Sequence, residues 1–473
     1  MLRLCKVMAV AMGLLLALIL AGPGMSQSPD DDDNVIWIPE QLTTQLAVQA
    51  AYDDENVYFY LQWPTDTPHF YHDYLVYEDG QWVRYGASPV GSQEFGVYED
   101  RVTFLVDDGS VYGFKNQGCY VTCHDGLRFM SDAVGKDEVQ RHAYLGEILE
   151  RTDVRKYLPQ SRAGENWYDA PWDIVESEQT LSDYRANGVF LDFWHWRAHR
   201  GNPIGYADDQ YVMEFRSSDE GKGPYTTNWD NDLNQPKFMF NPQLTGQYAL
   251  RWDKVVAREY TQDDYYYLSE EIAMPFDLGH PWQEGDVIPR RLLREPDGSH
   301  GTIRADGRWS DGLWHVELVR ALDTGYPLDD KPFVEGRTYT VGFAIHKNAT
   351  GSRWHYISFP LTLGIGQHAD VTAMRLSDQE PEWEDIKPVM VDLFYPGQTD
   401  WEFVTSDAHP GAEAIRMDDR GCGSCHQSAL KMGQASVALE TRDEGNWAWT
   451  VAAGVLVIVG GSITVLNLQR RKN

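Results

Sequence analysis

From residue 46 the chain turns apolar at every second position, Leu46, Val48 and Ala50. That is the period of a strand with one buried face. The turn-forming run Asp53-Asp54-Glu55-Asn56 comes next, then Val57-Tyr58-Phe59-Tyr60-Leu61-Gln62-Trp63, rich in strand-favouring residues. Together they predict a β-hairpin. Tyr77-Glu78-Asp79-Gly80-Gln81-Trp82 predicts a second turn between strands, and residues 101–106 a further strand stopped by Asp107-Asp108-Gly109. Residues 136–157 shift to a helical period with Pro159 as a stop, predicting a helical insertion over about 126–160. Strands return at 189–196, 248–252, 313–319, 338–345 and 354–363, between Gly, Asp and Pro turns. The pattern predicts a mainly β chain folded as a β-sandwich over 35–365.

Two apolar runs do not fit this alternation. Residues 7–21 follow Arg3 and Lys6 and lead into Gly22-Pro23-Gly24, the layout of a signal peptide over 1–26. An uncleaved anchor is the alternative. Residues 447–468 are uncharged and mostly apolar, long enough to cross a bilayer. Trp447 and Trp449 sit at one end, and Arg470-Arg471-Lys472 at the other. The positive-inside bias puts the 469–473 tail in the cytoplasm and the bulk of the chain on the periplasmic or extracellular side of the cytoplasmic membrane. Residues 366–446, rich in Asp, Glu and Pro at their start, join the sandwich to this span.

The 473 residues carry 72 acidic against 40 basic side chains, a formal charge of -32. Nucleic acid and anionic lipid are poor partners for such a surface, and a basic protein patch is a good one. Cys5 lies in the first apolar run, and the other four cysteines form two close pairs. Gly421-Cys422-Gly423-Ser424-Cys425-His426 has the Cys-x-x-Cys-His spacing of c-type haem attachment. Two thiols can form thioethers to one porphyrin edge while His426 ligates the iron. A zinc site would need two further ligands, which no second Cys-x-x-Cys supplies. Gly118-Cys119-Tyr120-Val121-Thr122-Cys123-His124 is a looser version, with three residues between the cysteines. It predicts a second haem held by Cys119, Cys123 and His124, against a disulfide or free thiol pair in a loop. For the sixth ligand of that haem the candidates are His355 and His195, then His72 and Met130. For the other they are His409, Met417 and Met432. No carboxylate pair, phosphate loop or serine motif stands out for catalysis.

Several segments resemble the ethylbenzene-dehydrogenase-type haem-binding domain, whose relatives are called cytochrome c-552/DMSO-reductase-like. They are Ala50 to Phe59, Phe193-Trp194-His195-Trp196, Asp306-Gly307-Arg308-Trp309-Ser310-Asp311-Gly312-Leu313-Trp314, Val319-Arg320, Phe343-Ala344-Ile345 and Ser358-Phe359-Pro360-Leu361. The resemblance implies a haem-carrying β-sandwich in respiratory electron transfer outside the cytoplasm. Members that are subunits of molybdenum enzymes hold a haem b through Met and Lys. Here His355 stands where that Lys would be, which suggests ligation involving His. The expectation is therefore a membrane-anchored c-type cytochrome with two covalent haem c groups. Its partner would be a membrane or periplasmic redox protein, a molybdenum oxidoreductase among them. The alternatives are an anchored carbohydrate- or ligand-binding β-sandwich and a haem subunit of a molybdenum oxidoreductase complex.

Overall fold

The computed structural model describes residues 43–394, apart from 87–95, 125, 129–132, 165–169, 348–354 and 378–379. The expected signal peptide, the Cys422-Cys425-His426 motif, the 447–468 run and Met130, His409, Met417 and Met432 lie outside the described residues. Among the described residues, no helix is long and apolar enough to cross a membrane.

The chain is mainly β. Thirteen strands make one sheet. In chain order these are β1 (Thr43–Tyr52), β2 (Asn56–Pro64), β3 (Arg101–Asp107), β4 (Leu191–Arg197), β5 (Asp208–Val212) and β6 (Arg216–Ser218). There follow β7 (Arg304–Ser310), β8 (Leu313–Ala321), β9 (Arg337–His346), β10 (Tyr356–Ile357), β11 (Leu361–Ile365), β12 (Val371–Arg375) and β13 (Val389–Phe394). The predicted hairpin is β1–β2, with Asp53 accepting from the backbone N–H groups of Glu55 (2.7 Å) and Asn56 (2.6 Å). This is the Asx-type turn that such a sequence favours.

One wall runs β7-β8-β2-β1 and the other β9-β3-β4-β5-β6. Two bridges join β1 to β9. β13 and β10 link them at one end, and β12 and β11 at the other. On the far side, β7 meets the approach to β5 through the Tyr206–Arg304 bridge. The expected sandwich is thus a closed β-barrel whose two walls touch across the interior. Closure leaves few exposed strand edges.

Aromatic side chains fill the contact between the walls. Phe59 of β2 lies 5.0 Å from Phe104 of β3 and 5.5 Å, edge-on, from Trp194 of β4. Trp196 packs 5.1 Å from Trp314 of β8 and 5.8 Å from Trp63 of β2. Gly307 of β7 admits Trp196, because a Cβ there would sit 2.3 Å from the indole.

Three expectations are corrected. The barrel does not stop at 365. Val371 and Ala373 of β12, and Val391 and Leu393 of β13, point into the core, in strands too short and acid-flanked to stand out. The 136–157 segment is not one helix. It forms a short α-helix at Lys136–Gln140, turns at His142 and continues as a π-helix over Ala143–Ile148. His142 interrupts the helix because its backbone is extended and its Nδ1 accepts from the N–H groups of Tyr144 and Leu145. The 354–363 strand is split into β10 and β11. Between them Ser358 exchanges bonds with the Phe343 backbone, its N–H donating to the carbonyl and its Oγ accepting from the N–H, both at 2.9 Å.

Candidate functional site

Strand parity fixes what each wall presents outward. In β3, β4 and β9, Phe104, Trp194, Trp196, Phe343 and Ile345 point into the core. Their neighbours Leu105, Thr103, Phe193, His195, Gly342 and Ala344 therefore share the outer face. That face is covered, since all of these except Gly342 are among the buried side chains.

The Cys119–His124 segment lies over it. Gly118–Thr122 forms a 3-10 turn. Its Thr122 Oγ1 donates to the Cys119 carbonyl at 2.7 Å. Cys119 rests on Gly342, where an added Cβ would lie 2.7 Å from its Sγ. Gly118, at φ 56°, backs onto Pro360. The family-like Ser358-Phe359-Pro360 segment thus buttresses the turn. Cys123 packs among Leu127, Leu145, Tyr157 and Phe215, the small core of the insertion. Both thiols are free and buried, and no disulfide joins them. Burial pushes the Cys119 thiol up to about 12, while the Lys156 ammonium donates to Cys123 Sγ at 3.0 Å.

His124 stacks on Tyr157, centroids 4.5 Å apart, and its Nε2 lies 3.1 Å from the Tyr157 carbonyl. Burial drives its pKa down to about 3. The imidazole is therefore neutral at physiological pH, the form that ligates a metal. His195 is 2% exposed. Its Nδ1 lies 3.0 Å from an Arg197 guanidinium nitrogen and 3.3 Å from Gln210 Oε1, while its Nε2 has no hydrogen-bond partner. Burial first, then Arg197 and Arg216, hold this histidine well below its usual pKa. Donor chemistry on this face suits a covalently held haem: reduced paired thiols and neutral buried imidazoles.

His355 is also buried, stacked at 4.5 Å on His346 at the end of β9. The register thus gathers Cys119, His195 and His355 on one face. His72 is buried beside two carboxylates, with neither ring nitrogen hydrogen-bonded. It lies 3.4 Å from Asp73 and 3.3 Å from Glu99, and its ring packs against Tyr98.

Sequence reasoning missed three contributors. Gly342 and His346 were detectable as outward positions of a strand whose other residues are apolar. Arg320 was detectable too, because it continues the inward row Trp314, Val316, Leu318 of β8. Its guanidinium sits among three buried carboxylates, Asp192 at 2.8 Å, Asp330 at 3.2 Å and Asp209 at 3.7 Å. These carboxylates converge closely enough for a metal ion, and Arg320 supplies the positive charge.

Fold and site together define a mainly β protein whose covered outer face carries buried thiols and imidazoles. The profile of the ethylbenzene dehydrogenase family matches residues 32–358, and the chain belongs to that family. Over 92 residues it is 29% identical to cytochrome c-552 of Stutzerimonas stutzeri, a stretch covering 20% of this chain and 30% of that relative. Both findings fit a haem-related or molybdenum-enzyme-related protein.

Proposed function

We propose that this chain is a membrane-anchored, extracytoplasmic c-type cytochrome that passes electrons in a respiratory chain. One haem is held by Cys119, Cys123 and His124, and a second by Cys422, Cys425 and His426. The observation that carries the reading is the register of β9, β3 and β4, which puts a buried imidazole with a free Nε2 on the face that seats Cys119. His195 is accordingly the sixth ligand of the first haem, with His355 as the alternative. Bound haem supplies a one-electron redox centre. The chain's own residues hold it, exclude water around it and, through the ligand types, bias its potential. The family's association with molybdenum oxidoreductases makes such an enzyme a candidate partner. The charge of -32 favours docking to a basic carrier. The second haem, about 20 residues before the apolar run, is the membrane-side station.

Intact-mass measurement on protein made with a working haem-ligation system tests this. Two haem additions are expected, falling to one in Cys422→Ala plus Cys425→Ala. An unmodified mass refutes the proposal. In the remaining haem, His195→Met should change the visible and near-infrared ligand signature. An unchanged signature there removes His195 as ligand.

A further inference from the structure

We propose that Arg101 and Arg197 receive the two propionate groups of the haem at Cys119 and Cys123, and so fix which way round that haem lies. This rests on the haem reading above and adds the residues that orient the group. The register arranges the face in three rows across β9, β3 and β4. Gly342, Leu105 and Phe193 form the first, Ala344, Thr103 and His195 the second, and His346, Arg101 and Arg197 the third. Strands advance ~3.3–3.4 Å per residue, so the third row lies about 13 Å from the first along the strands, with His195 about halfway. Cys119 sits on the first row. A c-type porphyrin is anchored by thiols at its vinyl edge, carries iron at its centre and extends its two carboxylates from the opposite edge. Thiol, imidazole and guanidinium occur on this face in that order.

Charge points the same way. In a strongly acidic chain, this corner concentrates buried cations. Arg101 is 4% and Arg197 3% exposed, and Arg200 and Arg216 lie near enough to act on His195. Arg197 is paired with Asp208, and Arg200 with Glu99. Asp208 is shared, because His300 also bonds to it. The Arg197 and Arg216 Nε atoms are buried without acceptors, and Arg216 faces the Phe193 ring at 5.8 Å. Arg197 has Nη1 on Asp208 and Nη2 against His195 Nδ1, so its Nε–H is the donor left for a carboxylate, a charge-assisted bond.

The test uses the full chain carrying Cys422→Ala plus Cys425→Ala, so that a single haem is read. Arg101 and Arg197 are each changed to Gln and to Lys. Intact mass reports attachment independently of these arginines, so absence of haem in the parent would overturn the haem reading itself. With haem attached, the propionate bending band in resonance Raman spectra is expected to shift in both Gln and both Lys variants. Loss of the guanidinium charge should also lower the midpoint potential in the Gln variants. If the bands stay put while haem is present, the inference is overturned, even where the potential falls, since a nearby charge alone would do that. Should a Gln variant fail to accumulate, the Lys variants decide by the same band.

Discussion

Gly342→Ala isolates the seat of Cys119. The added Cβ would lie 2.7 Å from Cys119 Sγ, 3.5 Å from its backbone nitrogen and 3.9 Å from Phe114. Ordinary carbon contacts begin near 3.5 Å, so the sulfur must retreat by roughly 1 Å while the backbone can stay. In the haem-free protein the thiol turns away from its present position, at a cost of about 0.5–1.5 kcal/mol. Against this, Ala gains about 0.5–1 kcal/mol over Gly inside a strand. The two nearly cancel, and urea unfolding of the apo-protein should move by less than about 1 kcal/mol. A sulfur tied to a porphyrin has no such freedom. Haem attachment at Cys119 should therefore fall several-fold, leaving single-thioether or haem-free species visible by mass. Full, doubly linked loading at an unchanged rate would refute the placement of that thioether over β9. A large apo destabilisation with normal loading would show that the glycine matters to packing alone.

Two further outcomes concern the barrel that holds the site. Arg320→Met strands three buried carboxylates, and breaking such a network should cost about 3–5 kcal/mol at pH 7.5 in urea unfolding. Burial pushes Asp330 up to about 6, and burial with neighbouring carboxylates raises Asp209 and Asp219 well above their ordinary 3.8. Because these folded values exceed the unfolded one, the acids' contribution is fully present below about pH 4 and, for Asp330, lost as pH rises through about 6. The Met variant should consequently lose less at pH 5, where protons replace the missing cation. Equal losses at both pH values would contradict this. Gly307→Ala drives a Cβ to within 2.3 Å of Trp196, which Trp63, Trp314 and an Asn202 hydrogen bond hold in place. The indole cannot retreat, so a loss at the upper end of the ~1–3 kcal/mol for overpacking is expected. An unchanged melting temperature would show that the aromatic cluster is looser than its distances imply.

Much of this protein was legible in its order of residues. Runs of strand-favouring residues between Gly, Asp and Pro turns identified β3, β4, β8 and β9 within a residue or two. The Asp53–Asn56 turn was legible because a short carboxylate can bond its own backbone. The cysteine spacing and the adjoining His124 nominated a site, and the residues from Ala50 to Leu361 pointed to the family to which the chain belongs. None of this could say that β12 and β13 close a barrel, since strands of five or six residues acquire their stability from neighbours distant in sequence. The sequence ordered His355 and His195 ahead of His72 but could not say which face of the sheet each occupies. That placement came from register. Two successive pairings, β9 with β3 and β3 with β4, bring Gly342 level with Phe193, and the next row carries His195. Parity then turns these residues outward beneath Cys119, while Trp194 and Trp196, one position away, turn into the core. A one-residue slip would have exchanged the two faces. The buried arginines read as ordinary polar residues in sequence, and only the closed sheet under its insertion deprives them of water.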